Sequence, residues 1–233
     1  MKKVLCGMIC VAAGASFAIE ATVATVDVIA VNSSLSNTVI AVPGLDLATG
    51  GDLAISNLVK TTNLTPGDRL LAFDGSNYDS WTLSSDKIWV KPLQKFTLDA
   101  GGNAEANNTQ DASLVTKSVG SGIWLSRQDA TVPIYIYAQH TNTLSSTVAA
   151  KATALLGNPS STSKAPSVSG CANGDQIKVP GVTASGLLKT YTYDGSLWYS
   201  YSGLKKVNGL PTITAGTGFW YVSKGSATVT VSW

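Results

Sequence analysis

The sequence predicts an all-β protein in which two divergent tandem antiparallel repeats, each a sandwich or an open barrel, follow a cleaved signal peptide. Apolar residues alternate with Thr and Ser over residues 227–233, and this period of two is typical of a half-buried strand. Asp-Gly pairs at Asp74-Gly75 and Asp194-Gly195 lie between β-rich runs and favour tight hairpin turns. No window has the periodicity of an amphipathic helix, since paired glycines interrupt the nearest candidate, residues 45–59.

Short motifs of the N-terminal half recur in the same order in the C-terminal half. The matches are Pro43 with Pro159, Gly67-Asp68 with Gly174-Asp175, Asp74-Gly75-Ser76 with Asp194-Gly195-Ser196, and Gly120, Gly122 and Trp124 with Gly216, Gly218 and Trp220. Their spacings differ mainly at two stretches that are typical of surface loops, near 99–119 and at 180–186. The pattern predicts one duplicated scaffold whose loops differ in length.

The N-terminus has the organisation of an export signal. Lys2 and Lys3 precede an apolar stretch at 4–15, and the small residues Ser16 and Ala18 fit a cleavage site. We expect cleavage after Ala18 and export to the periplasm, the cell surface or the medium; a short uncleaved anchor is the alternative. The predicted organisation is a signal peptide at 1–18, a first β repeat at 19–140 and a second at 141–233.

The charge balance argues against one class of partner, and the cysteine content argues against an internal disulfide. The whole chain has 16 basic and 14 acidic side chains, and loss of Lys2 and Lys3 leaves 16 − 2 = 14 of each. Nucleic-acid binders normally carry a basic excess, so we expect no nucleic acid partner. We also expect no integral membrane span in the mature chain. Cleavage removes Cys6 and Cys10, and Cys171 alone cannot close an internal disulfide.

The chain is poor in the side chains of catalysis and metal binding. The single histidine, His140, lies in a Ser/Thr-rich stretch predicted to be the linker between repeats, 140–147, where no rigid scaffold would hold a catalytic triad. Glu20 and Glu105 are the only glutamates, and the aspartates of the motifs are explained by turns. One His and one Cys in the mature chain are too few for a typical zinc site. We therefore predict no catalytic residue, no cofactor and no metal.

The motifs resemble those of a family of β-repeat proteins secreted by bacteria. Repeats of that family begin with Asn-Leu-x-Gly-Asn-Pro, continue with a Tyr-Asp-Gly hairpin and reach a Pro-Gly-x-Gly-Phe-(Phe/Trp) strand. The C-terminal half matches best, at 155–159, 193–195 and 216–220, whereas the N-terminal half has Ala-Val-Pro for Gly-Asn-Pro and Ile123 for Phe219. The resemblance implies export and a β fold, and it implies no reaction and no catalytic residue.

The aromatic side chains have the clearest potential for binding. All six Trp lie beyond the signal peptide, and exposed aromatics on a sheet can stack on sugar rings. A core position is the stronger interpretation for Trp124 and Trp220, which match each other in the repeat motif. Trp81, Trp198 and Tyr199 follow the predicted hairpin turns and are the candidate ligand-binding residues.

These observations predict a non-catalytic secreted or cell-envelope protein that acts in surface structure, adhesion or matrix assembly. A cell-surface glycan or an envelope protein is the expected partner. The alternative is a carbohydrate-binding module that uses the three aromatics near the hairpin turns. Two lesser alternatives are a hydrolase and an outer-membrane β-barrel, the latter because an alternating strand ends in Trp233.

Overall fold

A computed structural model gives the architecture of the chain. It describes residues 26–31, 37–42, 53–54, 56, 58–59, 61–91, 97–98, 104–105, 110–111, 116–118, 120–129, 134–139, 145–180 and 188–233. The predicted signal peptide at 1–18 and His140 lie outside these residues, as does most of the predicted loop at 180–186. The described residues form β-strands, turns and a short 3-10 helix at Thr61–Asn63, and they contain no α-helix.

The N-terminal half holds twelve of the described strands. They are β1 (Val26–Val31), β2 (Asn37–Ala41), β3 (Leu53–Ala54), β4 (Arg69–Phe73), β5 (Tyr78–Leu83), β6 (Trp89–Lys91), β7 (Thr97–Leu98), β8 (Ala104–Glu105), β9 (Gln110–Asp111), β10 (Thr116–Lys117), β11 (Gly122–Ser126) and β12 (Ile134–Gln139). Six of them form a sheet in the order β2-β11-β4-β5-β6-β9. The others form antiparallel pairs, β1 with β12, β3 with β10 and β7 with β8.

The C-terminal half holds the remaining nine described strands. They are β13 (Ser145–Val148), β14 (Thr153–Gly157), β15 (Ser167–Ser169), β16 (Gln176–Val179), β17 (Lys189–Tyr193), β18 (Trp198–Ser202), β19 (Lys205–Asn208), β20 (Gly218–Val222) and β21 (Val229–Ser232). Six of them form a sheet in the order β14-β20-β16-β17-β18-β19, and three form a second sheet in the order β13-β21-β15.

The two six-stranded sheets arrange their strands in the same way. In each sheet an early strand pairs with a late one, β2 with β11 and β14 with β20, and three consecutive strands follow beside it. The register also agrees, because Trp124 of β11 lies opposite Leu71 of β4 and Trp220 of β20 lies opposite Lys178 of β16. These residues define corresponding positions in the two halves. That the halves are copies of one duplicated repeat stays a prediction.

The core of the C-terminal half lies between its two sheets. Phe219 and Tyr221 of β20 contribute to it from the six-stranded sheet, and Val229 and Val231 of β21 contribute from the three-stranded sheet. Residues two apart on a strand share a face, so alternation in both strands fills this layer. The period of two predicted for the chain end is confirmed by the burial of Val229 and Val231.

The core of the N-terminal half uses the corresponding face of its own six-stranded sheet. Ile40, Leu70 and Ile123 lie in it together with the fully buried rings of Trp81 and Trp89. Ile134 at the start of β12 packs against the same cluster, as Val229 of β21 packs in the other half. Burial of these apolar side chains is the main stabilising contribution to each half.

The prediction of an all-β, antiparallel protein is confirmed, and three of its details are wrong. The Asp74 turn joins β4 to β5 whereas the Asp194 turn joins β17 to β18, so the two Asp-Gly turns occupy different places in their sheets. The stretch predicted as one long loop near 99–119 contains the short strands β8, β9 and β10. Residues 145–147 of the predicted linker belong to β13.

The true counterpart of the Asp194 turn is the turn between β5 and β6. There the Ile88 amide donates to Ser84 Oγ at 3.1 Å, as the Leu197 amide donates to Asp194 Oδ1 at 2.8 Å. A Ser hydroxyl and an Asp carboxylate can hold the same kind of turn. The corresponding hairpins thus have different turn residues, and the Asp-Gly-Ser motif could not reveal the correspondence.

Candidate functional site

The two halves join through the outer faces of their six-stranded sheets, along the strands β2, β11, β14 and β20. The Ala41 amide donates to the Gly216 carbonyl at 2.8 Å, and at the corresponding place the Gly157 amide donates to the Gly120 carbonyl at 2.9 Å. Isolated bridges between the halves, Ile40 with Thr217 and Leu156 with Ser121, continue this arrangement. The paired contacts follow an approximate two-fold symmetry, so each half contributes the same backbone positions to the junction.

Glycines allow the backbones to approach at this junction. A Cβ on Gly218 would lie 2.5 Å from Val39 Cγ1 of the other half, and one on Gly157 would lie 2.4 Å from Ala41 Cα. Gly122 is also confined, though less tightly, with Leu156 O at 2.9 Å from its ideal Cβ. The Gly-x-Gly motifs therefore serve close packing between the halves, because no larger residue fits at their second glycine.

Apolar side chains on the same outer faces form a cluster across the junction. Val39, Leu155 and Trp220 are buried in it, and Phe73 and Trp124 pack against them from the edge. Strands β2 and β14 are consequently apolar on both faces, with one face in a core and the other in the junction. The continuous apolar runs in these strands follow from this double burial.

A groove opens along this cluster, and we call it the junction groove. Its volume is about 530 Å³. Its walls include Leu71, Phe73, Tyr78 and Trp124 from the N-terminal half and Lys178, Leu188 and Trp220 from the C-terminal half. Sites of this size and apolar character are typical of small-molecule binding.

The aromatic rings of the groove support one another in edge-on contacts. The Phe73 ring lies 5.1 Å from the Trp220 ring at an interplanar angle of 80°, and Tyr78 lies 5.9 Å from Trp220 at 78°. Trp124 is 6.4 Å from Trp220 and directs its Nε1 toward Asn37 Oδ1 at 3.4 Å. Such edge-to-face contacts stabilise ring orientation, so the walls of the groove are held in place.

Tyr78 is the most exposed of these rings. Its side chain begins β5, directly opposite Phe73, and its residue surface is 49% exposed. The Asp74 turn sets this position, because Asp74 Oδ1 accepts the amides of Ser76 at 2.8 Å and Asn77 at 2.7 Å. Partial burial raises the pKa of the Tyr78 hydroxyl, which therefore stays a neutral donor near pH 7.

A second, more polar cavity adjoins the junction groove. It measures about 400 Å³ and shares Phe73 and Thr153 with the groove. Its walls carry the hydroxyls of Ser118, Ser145, Ser146 and Thr147 together with Asp74 and Lys117. The two cavities thus place aromatic faces next to a surface that can form many hydrogen bonds.

The aromatic residues singled out in the sequence lie elsewhere. Trp81 is fully buried and Trp198 is 7% exposed, so the prediction that they form an exposed stacking surface is wrong. Both rings point into the cores because alternation places them on the inner faces of β5 and β18. Tyr199 is partly exposed, but Lys206 Nζ lies 4.1 Å from its ring centroid and covers one face.

The carboxylates of the motifs hold loops and turns. Asp175, buried, accepts the amides of Ala172 at 3.1 Å and Lys224 at 2.6 Å and the hydroxyl of Tyr221 at 2.8 Å. Asp68, also buried, accepts the corresponding amides of the other half, those of Thr65 and Gln128. Each Gly-Asp motif therefore ties the start of one strand to the end of its neighbour.

The remaining motif carboxylate is in a surface turn. Asp194 accepts the amides of Ser196 at 3.0 Å and Leu197 at 2.8 Å and pairs with Lys206 at 2.9 Å. These contacts lower the pKa of Asp194 to about 2, with the Leu197 amide as the first cause. Among the residues that the structure describes, no three His, Cys, Asp or Glu side chains cluster so as to hold a metal ion.

Sequence reasoning missed Phe73, Tyr78 and Lys178 as groove residues. Tyr78 follows an Asp-Gly-Ser turn and was a visible candidate, whereas Phe73 and Lys178 carry no local signal. Trp124 and Trp220, expected in the core, instead lie on the outer faces, where they line the groove and pack in the junction.

The chain has no match among protein-family models, curated proteins or solved structures. No helix in the described part of the chain has the length and hydropathy of a membrane-spanning segment.

Proposed function

We propose that this protein is an exported, non-catalytic carbohydrate-binding protein that acts in adhesion or matrix assembly at the cell surface. The junction groove is its binding site. The observation that carries the proposal is the convergence of four aromatic rings, Phe73, Tyr78, Trp124 and Trp220, in one open groove between the two halves.

Sugars suit this groove for two reasons. The C–H faces of a pyranose ring stack on aromatic side chains, and Tyr78 offers a half-exposed ring for such a contact. The adjoining hydroxyl-rich cavity offers donors and acceptors to a second sugar unit. A short oligosaccharide could therefore extend from aromatic walls onto polar ones.

The backbone of the junction supports binding without large rearrangement. Hydrogen bonds between the halves and the absence of room for a Cβ at Gly157 and Gly218 hold both walls of the groove in register. A groove formed before the ligand arrives loses little conformational entropy on binding. Export and the place at the cell surface rest on the signal peptide predicted at 1–18 and on the family resemblance of the repeat motifs.

Glycan-array binding followed by titration with a soluble hit tests this function. We expect Tyr78→Ala to weaken binding at least tenfold without unfolding the protein, because the ring is half exposed. Tyr201→Ala is the matched control, since Tyr201 is 60% exposed and lies outside the groove. Circular dichroism checks that both variants fold. Equal affinity of the two variants, or the absence of any glycan hit, would contradict the proposal.

A further inference from the structure

Lys178 is the one charged side chain on the described walls of the junction groove. It lies in β16 between Trp220 on one neighbouring strand and Thr190 on the other, and it is only partly exposed. Its side chain therefore adds one positive charge to a wall that is otherwise made of apolar, aromatic and hydroxyl side chains.

No carboxylate among the described residues pairs with Lys178. Lys178 is not a member of the ion pairs Lys91 with Asp79 and Lys206 with Asp194. Asp175, close in sequence to Lys178, is buried and accepts hydrogen bonds from Ala172, Tyr221 and Lys224. The positive charge in the groove is thus available to a bound anion.

The fold itself does not require a lysine at this place. Leu71 of β4 occupies the corresponding position in the N-terminal half, since it lies opposite Trp124 as Lys178 lies opposite Trp220. Leu71 lines the same groove. An apolar residue is therefore compatible with this register, and the lysine gives one end of the groove a charge that the other end lacks.

We propose that the ligand of the junction groove is an acidic sugar, whose carboxylate pairs with Lys178 while its ring stacks on the aromatic wall. This inference rests on the function proposed above and specifies its ligand class. A carboxylate and an ammonium in a partly dehydrated groove form a charge-assisted hydrogen bond, which is about twice as strong as a neutral one.

Oligomers of galacturonic and mannuronic acid, each compared with its own methyl ester, test the inference. The esters keep the backbone and shape of the sugar and remove the negative charge. By isothermal titration we expect the full chain to bind an acid oligomer at least tenfold more tightly than its ester, and we expect added salt to reduce this preference.

Lys178→Leu, which copies the residue of the corresponding position, is the informative variant. It should bind the acid and the ester alike, at the affinity that the original chain has for the ester. Lys205→Leu removes the same charge from an exposed strand outside the groove and should keep the preference.

The outcomes separate this inference from the function on which it rests. Binding of neutral glycans that depends on Tyr78, with no preference for acids, overturns the inference and leaves the function in place. A preference that survives in Lys178→Leu also overturns it. Absence of binding to acidic and neutral glycans overturns both.

Discussion

The two halves of the molecule share a strand order and a register, yet they contribute different side chains to the same groove. At corresponding places the N-terminal half has Leu71 and Tyr78, and the C-terminal half has Lys178 and Leu188. At these two pairs of positions the N-terminal half contributes the aromatic ring of Tyr78 and the C-terminal half contributes the charge of Lys178, while Trp124 and Trp220 contribute one ring from each half. A nearly symmetric backbone can thus hold an asymmetric site, because side chains on an outer face are free to differ once the main chain is set.

The largest loss of stability is expected from a substitution at the junction, where it changes one of two corresponding positions. Ala41 and Gly157 occupy corresponding positions and face each other, with an ideal Cβ on Gly157 only 2.4 Å from Ala41 Cβ. We expect Gly157→Ala to lower the free energy of unfolding by about 3 kcal/mol through overpacking against backbone. Urea denaturation measures the loss.

The reciprocal exchange is the control for that variant. Combining Gly157→Ala with Ala41→Gly removes the contact with Ala41 Cβ but leaves the contact with Ala41 Cα, also at 2.4 Å, so it should recover less than half of the lost stability. Gly195→Ala offers a second reference, because Gly195 has a positive φ of 97° and only Asn173 Cβ, at 3.9 Å, near its ideal Cβ. A loss in Gly157→Ala no larger than the loss in Gly195→Ala would show that close approach is not the cause, and full recovery in the double variant would show that the Ala41 methyl group alone is responsible.

The next effect compares the two buried aspartates. Asp175→Ala should lower the free energy of unfolding by roughly 2 kcal/mol, and Asp68→Ala by roughly 1 kcal/mol, because truncation leaves partly buried amide donors without an acceptor. The difference has a structural source, since Asp175 also accepts the Tyr221 hydroxyl and the corresponding residue in the other half is Leu125. Denaturant unfolding of both variants under the same conditions shows which of them loses more free energy of unfolding. A larger loss in Asp68→Ala than in Asp175→Ala would refute this explanation.

Tyr221 gives the C-terminal half a dependence on alkaline pH that Leu125 cannot give. Burial first, and then the hydrogen bond to Asp175, raise the pKa of Tyr221. The unfolded chain releases this proton near pH 10, before the folded chain does, so the stabilisation is complete below pH 10 and is lost as the pH rises further. We expect Tyr221→Phe to lose about 1 kcal/mol at neutral pH. It should also show a weaker fall in stability above pH 10, and an unchanged slope there would count against this role.

The smallest expected effect is a difference in pKa between the aspartates of the two Asp-Gly turns. Backbone amides lower the pKa of Asp74 and of Asp194, but Lys206 adds a further pairing only at Asp194 and helps to bring its pKa to about 2. Each lowered pKa contributes stability at neutral pH that is lost as the solution is acidified through that pKa. NMR titration of the carboxyl carbons should find Asp194 titrating below Asp74, and Lys206→Met should raise the pKa of Asp194 alone. The same titration point for both groups would exclude the contribution of Lys206.

Local sequence patterns predicted the hairpin turns but not the places of those turns in the two sheets. The Asp-Gly pairs were recognisable as turns because Gly75 and Gly195 need the positive φ that glycine tolerates. Their places in the two sheets were not recognisable, since Ser84 holds the turn that corresponds to Asp194. Similar residues in a similar order therefore suggested that the two Asp-Gly turns correspond, whereas the strand pairing places them between different strands.

The candidate site was harder to predict than the fold. Trp81 and Trp198 follow predicted turns, yet the phase of each strand directs them inward, whereas Tyr78 beside the Asp74 turn remains half exposed. The alternation within a strand does not show which side of the sheet is exposed to solvent when both faces of neighbouring strands carry apolar residues. For Trp124 and Trp220, packing against the other half places the rings in the junction and not in a core.

The sequence by itself determined the all-β class, the turns and the glycines of the Gly-x-Gly motifs, because side-chain alternation and the φ requirements of glycine are local properties. Only the tertiary structure decided that the second glycine of each motif faces the other half, that four aromatic rings meet there and that Lys178 lies among them. Those relations join residues far apart in the chain, such as Tyr78 and Trp220, and their geometry follows from how two outer sheet faces pack together.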